Sequence, residues 1–149
     1  MYFIGIDIGT QGTRVVIADE EGNIIAKRSS KIEDLLSVTY NSDLFEQNPA
    51  SWWKSILISL STAINEFKSK DLNTRDIISI SVDGTSGTLV LLGESNSVLR
   101  NAIMYKDNRS VAQSTVINNA GKEVVKKLGY KFKPSFALPK ILWIKENEP

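Results

Sequence analysis

Asp7-Ile8-Gly9-Thr10-Gln11-Gly12-Thr13-Arg14 separates two apolar runs, and its reading decides the architecture. Tyr2 to Ile8 before it reads as a strand, and Thr13 to Ala18 after it as the returning strand. The two glycines suit a turn whose backbone takes positive φ. Asp19-Glu20-Glu21-Gly22-Asn23 marks a second turn, and Ile24 to Arg28 alternates into a third strand. The opening is therefore expected to be an antiparallel three-strand meander.

Lys31 to Gln47 has no firm period and reads as a long surface excursion. A helix follows, with Asn48 as N-cap and Pro49 at the first helical position. Its apolar set of Trp53, Ile56, Leu57, Leu60, Ala63, Ile64 and Phe67 recurs at helical spacing and needs a sheet to cover it. Ile77 to Val82 reads as a buried strand, Asp83 to Gly87 breaks it, and Thr88 to Leu92 resumes as strand before a turn at Gly93 to Ser97. Helices are expected over Asp107 to Ala120, Lys122 to Leu128 and Ser135 to Glu146, the last with Leu138, Ile141 and Leu142 on one face. Three antiparallel strands, a helix and then a further strand are the opening of an α/β fold of the ribonuclease-H-like, actin-like ATPase type, continued by helix-strand units. The pattern asks for more parallel strands and helices after Pro149, so the fold is expected to be incomplete within these residues. The edge and apolar face thus left uncovered would favour either self-association, as in a homodimer, or marginal stability.

Composition excludes several classes of function. The 18 basic and 17 acidic residues are interspersed and leave a net charge of +1, which gives neither nucleic acid nor an anionic membrane surface a reason to bind. With no cysteine and no histidine, thiol chemistry, serine–histidine relays, disulfides and ordinary zinc sites are ruled out within the chain. Any acid, base or metal ligand must be a carboxylate. The sequence shows no secretory leader and no apolar run of the ~20 residues a membrane span needs, so the expected compartment is the cytoplasm.

The turn that opens the fold also carries the chemistry. Gly9 and Gly12 let backbone N–H groups approach an oxyanion; Thr10, Gln11 and Thr13 add neutral donors and Arg14 a charged one. Asp7, at a strand end, suits either Mg2+ binding or acceptance of a hydroxyl proton. The plainer reading is a glycine-rich hairpin with a surface aspartate and arginine. The loop lacks the Gly-Lys-Ser/Thr of a Walker motif.

Five segments in order extend the case. Asp7 to Arg14 resembles the first phosphate motif of the FGGY carbohydrate kinases, relatives of actin, hexokinase and the Hsp70 ATPases. Glu46-Gln47-Asn48-Pro49-Ala50-Ser51-Trp52-Trp53 is similar to that family's Glu-Gln-x-Pro-x-x-Trp helix start, and Ile80 to Thr88 sits where the family has a sugar-contacting strand end. Arg100 to Arg109 resembles its Leu-Arg-Pro-Ala-Ile-x-Trp-x-Asp-x-Arg stretch, and Pro139-Lys140-Ile141-Leu142-Trp143 its Lys-x-x-Trp helix.

The resemblance implies a cytoplasmic kinase that uses ATP and Mg2+ on a small sugar, with 1–149 forming the sugar-binding side of the first of two domains. Asp7 would lie by the metal and the transferring phosphoryl group, with Gly9, Thr10, Gln11, Gly12, Thr13 and the catalytic candidate Arg14 near the terminal phosphates. Asp83, Thr85, Ser86, Tyr105 and Asp107 would line the sugar cleft. Beside this stand plainer readings, with Glu46 and Gln47 capping the helix, Trp52 and Trp53 in the core and Arg109 in a structural ion pair. Members acting on xylulose carry Gly-Gln-x-His-Gly where this chain has Asp83-Gly84-Thr85-Ser86-Gly87, a version that resembles the D-ribulose kinase-like branch. The family's catalytic base and second nucleotide segments come from sequence beyond position 149, so the fragment alone is expected to be inactive.

Overall fold

The computed structural model describes residues 1–32 and 44–149. They divide between two compact units, Met1–Leu35 with Ala50–Thr85, and Leu36–Pro49 with Ser86–Pro149. Residues 33–43, the middle of the expected excursion, lie outside the described residues.

In the first unit β1 (Tyr2–Ile8), β2 (Gly12–Asp19) and β3 (Ile24–Lys31) form the expected meander. A helix, α1 (Pro49–Lys68), leads to β5 (Ile77–Gly84), which joins β1 in parallel and gives the strand order β3-β2-β1-β5. Strand side chains alternate between faces, so Ile4 and Ile6, Val15 and Ile17, and Ala26 face one way and form a core with Ala63 and Phe67 of α1. The Tyr2 ring meets Phe67 edge-on at 4.8 Å. Each such large apolar side chain contributes roughly 1.5–3 kcal/mol when fully buried.

Five of the seven expected apolar residues of the helix, Ile56, Leu60, Ala63, Ile64 and Phe67, pack on the sheet, but the face is rotated away from Trp53 and Leu57. Its buried line is Ser55, Ser59, Ala63 and Phe67, one residue per turn, flanked by Ile56, Leu60 and Ile64. Trp53 and Leu57 are 62% and 48% exposed, which removes Trp53 from the core. The cause lies on β2, where the buried Thr13 hydroxyl sits 2.8 Å from Ser55 Oγ and 2.9 Å from Ser59 Oγ. Ser55 also donates to the Ser30 carbonyl at 3.0 Å, tying the helix to β3. Replacing Thr13→Val keeps the shape and removes the shared hydroxyl, so stability is expected to fall by about 1 kcal/mol. A denaturant midpoint equal to that of the parent would show that the two serines do without it.

β5 is not the buried strand that its apolar run predicts. Ile80 and Val82 pair in register with Ile4 and Ile6 and so continue the core face, yet Ile78, Ile80 and Val82 are 55%, 57% and 60% exposed. Only Ile77 of that strand reaches the packed cluster. The apolar stripe and the strand edge are thus open among the described residues.

In the second unit β4 (Glu46–Gln47) pairs antiparallel with β6 (Ala102–Ile103), so Glu46 and Gln47 belong to a strand rather than a helix cap. Thr88 to Leu92 makes only isolated bridges, Leu89 to Ile103 and Leu92 to Val98, in place of the expected strand. The turn at Gly93 to Ser97 forms, closed by a 2.9 Å bond from Gly93 N–H to the Ser97 carbonyl. α2 (Val111–Ala120) starts four residues later than expected, because Asp107 folds back to accept the Arg109 backbone N–H at 3.0 Å. α3 (Lys122–Leu128) ends at Gly129, which adopts φ 75° as its C-cap. α4 (Ala137–Asn147) buries Pro139 and Lys140, whereas Leu138 and Ile141 are exposed, opposite to the face the sequence suggests. Among the described residues no helix is long and apolar enough to cross a membrane.

Candidate functional site

Two groups of candidate residues arise, one in each unit. In the first, register brings three of them side by side. Asp7 on β1 pairs with Arg14 on β2 and with Asp83 on β5. All three share the sheet face opposite α1. Arg14 Nη1 donates to Asp7 Oδ2 at 2.7 Å, and both side chains are about half exposed. Asp83 accepts its neighbour Gly84 N–H at 2.8 Å, and Thr85 donates to the Ile8 carbonyl at 3.3 Å. A shallow depression of about 360 Å³ lined by Gly5, Asp7, Arg14, Lys27, Ser81 and Asp83 opens on this face. Gly5, Lys27 and Ser81 were not among the sequence candidates. The available signal was a glycine in a strand interior, because a Cβ at Gly5 would meet nothing within 4 Å and the space above it stays open.

The loop itself is closed by a 3.0 Å bond from Gly9 N–H to the Gly12 carbonyl. Neither glycine has the positive φ expected of it. Gly12 is required for another reason: a Cβ there would lie 2.5 Å from the Ser30 carbonyl oxygen, so glycine permits β2 and β3 to close up. Thr13 does not offer its hydroxyl to the loop, since strand alternation sends it to the core while Arg14 faces out. Gln11, Gly12, Arg14 and Lys31 line an open pocket of about 590 Å³ on the β3 side. The Gln11 backbone carbonyl is engaged by Ile32 N–H at 3.1 Å.

In the second unit Ser86 is exposed and Tyr105 half-buried. Gly87 between them has φ 72°, and a Cβ added there would run into the Ser135 carbonyl and come within 3.6 Å of the Tyr105 Cβ. Asp107 differs from the expectation of a cleft-lining carboxylate. It is 0% exposed, and its oxygens accept from Phe45 N–H at 2.7 Å, Arg109 N–H at 3.0 Å, and Arg109 Nε and Nη2 at 2.8 Å each. Arg109 Nη2 also donates to Glu46 at 2.6 Å, Glu46 pairs with Arg100, and Trp143 lies under the guanidinium at 5.0 Å. Burial opposes the charge of Arg109, but the hydrogen bonds and charges of Asp107 and Glu46 outweigh it and raise its pKa. Arg109 is thus held, together with Asp107, in a buried ion-pair network with Glu46.

A model of the FGGY family of carbohydrate kinases, N-terminal domain, matches residues 2–149. The chain belongs to that family. It is 30% identical over 149 residues to a xylulose kinase of Bacillus subtilis, covering 99% of this chain and 29% of that protein. It is 23% identical over 158 residues to a D-ribulokinase of Saccharomyces cerevisiae, covering 98% of this chain and 21% of that protein. The chain therefore spans less than a third of the length of these FGGY relatives. In fold it is similar to a xylulose kinase of Rhodospirillum rubrum, with a TM-score of 0.85 at 22% identity over 100% of this chain and 30% of that one. The actin-like ATPase fold of FGGY kinases is thereby established for this α/β chain.

Proposed function

We propose that the protein containing this chain transfers the γ-phosphoryl group of ATP to a hydroxyl of a ketopentose. The observation that carries this reading is the row Arg14, Asp7, Asp83 beside the Gly9 to Gly12 loop, in a chain of the FGGY family. Phosphoryl transfer needs positioning and electrostatic stabilisation more than covalent chemistry. A glycine loop supplies backbone donors and an arginine supplies charge.

Two carboxylates on adjacent strands fit Mg2+, which takes one or two carboxylates together with phosphate oxygens. Asp7 would hold it, with Asp83 beside it, and the ion would offset charge on the terminal phosphates. Thr10, Gln11 and Gly12 would face those phosphates. Ser86 and Tyr105 would contact the sugar, with Thr85 beside them, and Asp107 would support that surface from beneath. The catalytic base would come from outside these 149 residues, so the chain alone should not turn over.

D-Ribulose is favoured by Ser86, which stands where xylulose-acting members carry histidine; D-xylulose is the second reading, favoured by the 30% identity to a xylulose kinase. The deciding experiment is ADP formation by the whole protein with D-ribulose, D-xylulose, glycerol and gluconate. ADP release dependent on one of the two pentuloses is expected. Turnover with neither would overturn the ketopentose reading.

A further inference from the structure

Lys140 takes no part in the chemistry above, yet it is 0% exposed on α4. Among the described residues it has no carboxylate within ion-pair distance; its Nζ donates instead to two backbone carbonyls, Gly87 at 2.6 Å and Ser135 at 3.3 Å. A buried ammonium without a counter-ion is costly, and a methionine would fill the same space without that penalty. The stitched segments are those that meet backbone to backbone, where Gly87 at φ 72° leaves no Cβ to strike the Ser135 carbonyl. Gly87 follows Ser86 directly and abuts Tyr105. The lysine therefore acts on the segment that carries Ser86 and that abuts Tyr105 at Gly87.

We propose that Lys140 is a positioning residue for the sugar: by holding the Gly87 and Ser135 carbonyls together it fixes the geometry in which Ser86 and Tyr105 meet a pentulose. This rests on the ketopentose reading. Burial lowers the Lys140 pKa to about 8; the charge of Asp107 works against that shift and the charge of Arg109 adds to it. At Gly87 and Ser135 the lysine meets only backbone carbonyls. Loss of its proton weakens both bonds, because hydrogen bonds from a charged donor are the stronger kind.

The test uses the whole protein with D-ribulose and D-xylulose as probes, in calorimetry and amide NMR, for the parent, Lys140→Met and Lys140→Arg. Lys140→Met should weaken pentulose binding about tenfold, the effect of losing one charge-assisted hydrogen bond, and Lys140→Arg should retain part of it. Parent affinity should fall as pH rises through about 8. Lys140→Met should be flat there.

Stability should move the other way. An unfolded lysine keeps its proton to about 10.5, so between about 8 and 10.5 the unfolded chain binds more protons and rising pH favours the folded parent over Lys140→Met. A residue that served stability alone would not weaken sugar binding over the range in which it stabilises the fold. Equal pentulose affinity and equal pH dependence in parent and Lys140→Met would overturn the proposal. If the parent binds neither pentulose, the ketopentose reading fails on its own account. The positioning claim then stands or falls on whether the Ser86 and Gly87 amides titrate near pH 8 in the parent and not in Lys140→Met.

Discussion

Arg109→Met is expected to lower the stability of the unit that contains it by about 3–5 kcal/mol, the range for breaking one partner out of a buried ion pair. The guanidinium side chain is 5% exposed and Asp107 is 0% exposed, so water cannot take over its hydrogen bonds. Once it is removed, Asp107 retains only the Phe45 and Arg109 backbone donors, and Glu46 retains Arg100. Methionine replaces the volume and still touches Trp143, so packing loss is a minor part of the effect. Removing both charges together, as Arg109→Met with Asp107→Leu, should recover much of the loss, because a matched apolar pair leaves fewer charges stranded. Denaturant unfolding of the two single variants and the double variant measures this. A single-variant loss below about 1 kcal/mol, the usual worth of an exposed pair, would mean that the network does not hold the unit together.

Asp7→Asn is expected to cut kcat of the whole protein by about 10²–10³-fold, the scale on which a single preorganised electrostatic contact acts in a transition state. Asparagine keeps the shape and still accepts from Arg14, and the half-exposed site makes a folding defect a poor explanation for lost turnover. The change removes the negative charge that would hold Mg2+. KM for the sugar should change little, since Asp7 belongs to the phosphate side of the proposed site. An Asp7→Asn enzyme with parental kcat would remove the central aspartate from the mechanism.

The meander, α1 and the existence of a strand at β5 were legible because strand alternation and helical spacing are written into consecutive residues. What the sequence hid was set by partners distant in the chain. Ser55 and Ser59 look like surface serines until Thr13, 42 and 46 positions away, is known to share its hydroxyl with them. Leu138 and Ile141 look like a core face until the inward Lys140 finds carbonyls at Gly87 and Ser135. Apolar counting cannot anticipate a buried polar contact.

The candidate site divided in the same way. Asp7 and Arg14 could be paired from the hairpin alone, because a tight turn fixes which residues face each other. That Asp83 would stand on the other side of Asp7 required the parallel register of β5, which no local pattern encodes. Asp107 was expected to line the sugar cleft, and its burial was not legible, since its spacing to Arg109 says nothing about which of the two turns inward.

β1 and β2 are the two inner strands of their sheet, each bonded along both sides over seven residue pairs. Their amides are consequently among the last that local opening would expose to solvent, and Asp7 is mounted near the end of one of these doubly braced spans. An aspartate so placed is carried on one of the two stiffest ribs of its unit, so its carboxylate should hold its position even where the open edge at β5 frays.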